Sequence, residues 1–162
     1  MNEKKTLRQH RLLFICLGNI CRSPAAEGVM KALASAAGRS ADFHIDSAGI
    51  GDWHVGQLPD PRMRKRGALR GYNFDSHARQ IRRSDFKDFD LLLVMDASNF
   101  TTVGGMATSP EEREKVVMLT DFLTSHDNVK AVPDPYYGDE TDFDYALDLI
   151  EDACSGLLDR LA

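Results

Sequence analysis

The chain has 162 residues, 43% hydrophobic and 28% charged, with a net charge of −5. That length fits one domain over 1–162 with a core of its own, and the acidic balance excludes a general nucleic-acid binder, whose phosphate partner rewards an excess of Lys and Arg. Three cysteines make no disulfide scaffold and point to the reducing cytoplasm.

Residues 1–10 read as a flexible basic N-terminus carrying Lys4, Lys5 and Arg8. The apolar run Leu12–Leu17 that follows is far short of a membrane span, roughly 20 residues, and too short for a signal-peptide core. Leu12–Cys16 is instead predicted to be a buried strand. Ser23-Pro24 then opens a helix, with Ser23 as N-cap and Pro24 in the first turn. Ala26, Met30, Leu33 and Ala37 share one face of it, and Gly38 ends it. Phe43–Asp46 alternates apolar and polar residues, as a shorter strand near a sheet edge does. A helix is predicted over Pro61–Gly71 although Gly67 weakens it. Its basic residues Arg62, Arg64, Lys65, Arg66 and Arg70 read as a solvated face, or else as a docking patch for acidic peptides.

Leu91–Met95 and Val116–Leu119 are continuous apolar runs, the pattern of parallel strands covered on both sides. Last, Phe143, Leu147, Ile150, Cys154, Leu157 and Leu161 recur at the helical period, so Cys154 is expected in the core. Strands alternating with helices predict an α/β fold, a doubly wound parallel sheet with helices on both faces. Ligands in such sheets bind beyond the carboxyl ends of the strands. The first strand ends at Cys16.

The segment Cys16-Leu17-Gly18-Asn19-Ile20-Cys21-Arg22-Ser23-Pro24 therefore runs from a strand end into a helix start. Backbone amides of a helix's first turn lack intrahelical partners, and Gly18 and Asn19 tolerate the backbone angles needed to curl the loop around an anion. With the helix dipole, those amides form a seat for a phosphoryl group. Arg22 can hold two phosphoryl oxygens through its planar fork. The same positive field favours the thiolate of Cys16, a nucleophile able to attack phosphorus in line. Cys16 and Cys21 have no second Cys or His pair at a zinc spacing, so no metal or other cofactor is expected.

Displacing an alkoxide or phenoxide needs an acid. Asp134, stiffened by Pro133 and Pro135, is the candidate, and Tyr136 and Tyr137 beside it suit an aromatic wall for a flat substrate. On its own the segment reads equally as a Pro-rich turn before the last helix.

Both end motifs together, with Asp46-Ser47-Ala48-Gly49, Ser76-His77-Ala78-Arg79-Gln80-Ile81 and Met95-Asp96-Ala97-Ser98-Asn99 between them, resemble the low-molecular-weight protein tyrosine phosphatases over nearly the whole chain. The resemblance implies a four-stranded parallel sheet with the phosphate loop after the first strand, and metal-free hydrolysis of phosphotyrosine through a phosphocysteine. It implies Cys16 as nucleophile, Arg22 as phosphate clamp and Asp134 as general acid. It implies phosphate binding by Leu17, Gly18, Asn19, Ile20, Cys21 and Ser23, with the Ser23 hydroxyl stabilising the thiolate. Asn19, Ser47 and His77 would form a network supporting the loop, and Leu17, Trp53, Tyr136 and Tyr137 the cleft walls. Cys21 would pair reversibly with Cys16 under oxidation. Tyrosine-phosphorylated proteins or peptides are the implied substrates and a tyrosine kinase a possible counterpart, for a monomer or weak dimer.

Two other chemistries share this loop. Arsenate reductases similar to it relay oxidation through cysteines after the third strand, and Ala97–Thr108 has none. Protein arginine phosphatases have Thr where this chain has Ile20. A phosphate-binding module without activity is disfavoured because nucleophile, clamp and acid candidates are all present.

Overall fold

The computed structural model describes residues 9–161. Its centre is β1 (His10–Cys16), whose Leu12, Leu13, Phe14 and Ile15 are wholly buried. His10 already pairs with Phe43, so the strand begins within the stretch expected to be a flexible N-terminus; residues 1–8 lie outside the described part. A loop leads into α1 (Arg22–Ala36). The chain returns as β2 (Phe43–Gly49), longer than the expected Phe43–Asp46, and then forms α2 (Pro61–Ala68). A single turn, α3 (Asp85–Asp88), precedes β3 (Leu91–Val94), and α4 (Ala97–Met106) and α5 (Pro110–Lys115) precede β4 (Val116–Met118). The long α6 (Glu140–Arg160) closes the fold behind a capping box formed by Asp139 and Asp142.

All strand pairs are parallel, in the order β2-β1-β3-β4, with Leu12 opposite both Ile45 and Leu91. The alternation of side chains along β1 assigns its two faces. Leu12 and Phe14 pack into a core with Ala26, Met30, Leu147 and Ile150 of α1 and α6. Leu13 and Ile15 pack on the other face with Phe86, Leu92, Val94 and Val103. The sheet is thus covered on both sides, which is why its inner strands read as unbroken apolar runs. This is the doubly wound α/β architecture expected.

Three local readings change. The N-cap of α1 is Cys21, with no side-chain cap bond, and Ser23 lies inside the helix because its hydroxyl is engaged elsewhere. Helix α2 ends at Ala68; Gly67 stands there because a Cβ would fall 2.3 Å from the ring of Phe74. Its basic face is not simply solvated. Arg66 grips Asp144 through two bonds of 2.9 and 2.8 Å, Arg70 reaches Glu151 and Asp148, and Arg62 folds back on Asp60. The Arg66 and Arg70 pairs tie this segment to α6, and the three together neutralise most of the patch. Cys154 is fully buried as expected, and burial holds its thiol well above its ordinary pKa, with Glu151 adding to the effect.

Candidate active site

Beyond the carboxyl end of β1 the chain curls from Cys16 to Arg22. Neighbouring backbone pins the curve: Ile50 N–H donates to Cys16 O at 3.0 Å, Gly51 N–H to Leu17 O at 2.9 Å and Asp60 N–H to Ile20 O at 2.8 Å. Asn19 sits in the left-handed region at φ 58°, among the few L-residues that tolerate it. Gly49 of β2 permits the close pass of this loop, since a Cβ there would meet Gly18 C at 2.9 Å and Asn19 N at 3.0 Å.

Side chains hold the strained residue from both ends. Asn19 Nδ2 donates to Ser23 Oγ at 2.7 Å and to Ser47 Oγ at 3.0 Å, while its Oδ1 accepts the Arg79 amide at 2.9 Å. Ser47 Oγ donates in turn to Glu27 Oε1 at 2.6 Å. Ser23 lies 3.0 Å from Cys16 Sγ through its hydroxyl, and its backbone N–H donates to the same sulfur at 3.4 Å. His77, expected in this network, is exposed and hydrogen-bonds to nothing among the described residues. The amide of Arg79 occupies that place, and its guanidinium is anchored by Asp46 and by the wholly buried Asp85.

Arg22 is 3% exposed at its side chain and is aimed by two bonds, to Asp96 Oδ2 at 2.8 Å and to Val132 O at 2.9 Å. Burial lowers its pKa, but the charge of Cys16 and the bond to Asp96 outweigh that and raise it. Its Nη2 stands 3.7 Å from Asp134 Oδ2. Asp134 Oδ1 accepts the Tyr136 amide at 3.1 Å, so the Pro-flanked loop presents the carboxyl group in a fixed orientation. Burial, then the charges of Asp60 and Cys16, hold the Cys21 thiol well above the ordinary range. Cys16 and Cys21 are both free thiols.

Cys16, Leu17, Gly18, Ile20, Cys21, Arg22, Asp134, Trp53, Tyr136 and Tyr137 line one cleft of about 310 Å³. Trp53 and Tyr137 are 65% and 95% exposed and stand as its outer walls, with Tyr136 packed edge-on against Tyr137. Asn19, Ser23 and Ser47 sit one layer beneath. Sequence reasoning missed four residues of this assembly: Asp96 on Arg22, Glu27 and Arg79 on the network, and His54, which lines the cleft beside Trp53. Asp96 alone carried a readable signal, as an N-cap before Ala97-Ser98-Asn99. Among the described residues no group of three or more His, Cys, Asp or Glu side chains could hold a metal ion.

Residues 11–162 match the family model of the low molecular weight phosphotyrosine protein phosphatases. The chain belongs to this phosphatase family. A low molecular weight protein-tyrosine-phosphatase of Streptomyces coelicolor is 40% identical over 154 residues, 92% of each chain. The low molecular weight phosphotyrosine protein phosphatase of Sus scrofa is 37% identical over 153 residues, covering 93% of this chain and 94% of that one. A crystal structure of a protein tyrosine phosphatase from Entamoeba histolytica, with Hepes in its active site, superposes with a TM-score of 0.91 at 43% identity, over 94% of this chain and 97% of that chain.

Proposed function

We propose that this phosphatase hydrolyses phosphotyrosine in proteins and peptides through a covalent phosphocysteine on Cys16. The thiolate attacks phosphorus as the bond to the tyrosine oxygen breaks, and Asp134 supplies the proton that lets the phenol leave. Water then attacks the phosphocysteine, Asp134 takes a proton from it, and Cys16 is released as the thiolate with inorganic phosphate. Arg22 and the loop from Leu17 to Ser23 hold the phosphoryl oxygens through both steps. The carrying observation is the convergence on one sulfur of the Ser23 hydroxyl and amide, with Arg22 and Asp134 in the same cleft.

Ile20 and the aromatic walls support an aryl phosphate over phosphoarginine, and the cysteine-free Ala97–Thr108 offers no relay for arsenate reduction. The substrates are phosphoproteins, and an opposing tyrosine kinase completes the cycle. Free thiols at Cys16, Cys21 and Cys154 support a reducing, cytoplasmic setting. No helix among the described residues is long and apolar enough to cross a membrane. A monomer or weak dimer keeps the exposed cleft accessible.

Phosphate release from matched phosphotyrosine, phosphoarginine and phosphoserine peptides, with a chelator present, tests this reading. Strong preference for phosphotyrosine is expected. Preference for phosphoarginine would keep the Cys16–Arg22–Asp134 chemistry and overturn the substrate class.

A further inference from the structure

One buried carboxylate near the cleft has no part in the steps above. Glu27 lies on α1, one helical turn before Lys31, and its side chain is only 6% exposed. Its two oxygens have separate partners. Oε1 accepts the hydroxyl of Ser47 at 2.6 Å, and Oε2 faces Lys31 Nζ, also at 2.6 Å. A carboxylate in an ion pair only accepts, so the single hydroxyl proton of Ser47 is committed to Glu27. Ser47 Oγ can then only accept from Asn19, at 3.0 Å. Both amide protons of Asn19 are thereby used, one on Ser47 and one on Ser23. Ser23 Oγ accepts that bond, and its own proton has two acceptors in reach, Cys16 Sγ at 3.0 Å and the more distant Ala48 O at 3.4 Å.

We propose that Glu27 is a positioning residue: by taking the Ser47 proton it leaves Ser47 to accept from Asn19, which holds the Asn19 amide where its other proton orients the Ser23 hydroxyl beside the sulfur. The proposal rests on Cys16 being the nucleophile. At its far end the chain is fixed by the Arg79 amide on Asn19 Oδ1, and Glu27 is the acceptor that closes the other end. The charged groups facing the thiol are Arg22 on α1 and Asp134 on the loop after β4, with the Cys21 thiol across the loop. Those facing Glu27 reduce to Lys31, since its only other polar partner among the described residues is Ser47.

Lys31 makes the proposal testable beyond simple loss of a contact. In Glu27→Gln the new amide has one acceptor and one donor end. The ammonium of Lys31 draws the oxygen, which turns the NH₂ toward Ser47 and reverses the bond there. Ser47 would then point its own proton at the NH₂ of Asn19, donor against donor. Removing the ammonium with Lys31→Met lets the glutamine turn its oxygen back to Ser47.

Glu27→Gln is therefore expected to lower kcat on an aryl phosphate roughly tenfold, with KM little changed and the thermal midpoint near that of the parent. Lys31→Met alone should leave kcat within about twofold, because Glu27 still accepts the Ser47 hydroxyl at 2.6 Å. The double variant Glu27→Gln with Lys31→Met should recover most of the loss. Two outcomes overturn the proposal: a kcat for Glu27→Gln equal to the parent's, or a double variant no faster than Glu27→Gln. A fall in thermal midpoint at unchanged kcat would likewise reduce Glu27 to a structural residue. Cys16→Ser is assayed alongside. If that variant still turns over, the nucleophile assignment fails on its own account, and the Glu27 proposal fails with it.

Discussion

Arg22 and Asp96 meet at 2.8 Å, and the same aspartate caps α4 by accepting the Asn99 amide at 2.8 Å through its other oxygen. One carboxylate thus starts the helix after β3 and holds the Arg22 guanidinium that lines the cleft. The two roles separate by substitution. Asn is as good an N-cap as Asp, whereas Ala costs about 1 kcal/mol at that position. Asp96→Asn should hold the thermal midpoint near the parent's and lower kcat/KM roughly 10- to 100-fold, because the buried guanidinium loses its charged partner. Asp96→Ala should lose both activity and stability. Steady-state kinetics beside thermal melts of the two variants check this; full activity in Asp96→Asn would mean that Val132 O alone aims Arg22.

The two loop thiols should differ sharply in reactivity. Burial with the charges of Asp60 and Cys16 keeps Cys21 protonated, and burial does the same for Cys154. Cys16 instead has the Ser23 hydroxyl and amide on its sulfur. Iodoacetamide at neutral pH is expected to alkylate Cys16 alone and to abolish turnover, with inorganic phosphate protecting. Peptide mapping that finds the label first on Cys21 would contradict the site as described.

Asp134→Asn should divide substrates by their leaving groups. General acid catalysis contributes about 10²- to 10⁴-fold where the leaving oxygen needs a proton. Phosphotyrosine peptides should therefore slow by about 100-fold or more, while activated aryl phosphates slow far less. Equal losses on both would move the acid elsewhere, or reduce Asp134 to a partner of Arg22 at 3.7 Å.

Acid should weaken the fold through Asp152. Burial raises its pKa, but the Thr124 hydroxyl, the His126 ring and the Ser125 and Thr124 amides outweigh that and hold it well below the usual carboxylate range. Asp144 is lowered too, first by its bond to Arg66. A carboxylate depressed in the folded state contributes stability that is fully present above its unfolded value, near pH 4, and is lost as pH falls below that toward the folded value. The thermal midpoint should thus fall steeply below about pH 4. Asp152→Ala should cost about 1–3 kcal/mol at neutral pH and flatten that fall. An unchanged slope in the variant would remove Asp152 as its source.

Much of the fold was legible because two apolar patterns carry it. Leu12–Cys16 and Leu91–Met95 are continuous because the sheet is covered on both faces, and the Phe143–Leu161 stripe is periodic because one face of α6 packs on α1. Helix α4 was illegible, since Thr101-Thr102 and Gly104-Gly105 depress helix propensity and only Val103 and Asn99 are buried along it. Ser23 looked like an N-cap because a helix start and a neighbouring sulfur draw on the same hydroxyl; the fold places it on the Cys16 sulfur. The cleft residues Cys16, Arg22 and Asp134 were legible from motif chemistry and family resemblance. Glu27, Arg79 and Asp96 act through partners far along the chain, Asp96 on Arg22 for example, and a charged residue in sequence does not announce a buried place. His77 shows the converse. The resemblance gave it a role, yet its side chain points outward while Arg79, two residues on, holds Asn19.

The covalent step is the centre of the account, and rapid quenching of the enzyme with an aryl phosphate tests it most directly. Acid-quenched samples from the first turnover, digested and mapped by mass spectrometry, should carry a phosphoryl group on the Cys16 peptide in the parent enzyme and none in Cys16→Ser. A phosphoryl group on another residue, or full turnover by Cys16→Ser, would contradict the mechanism.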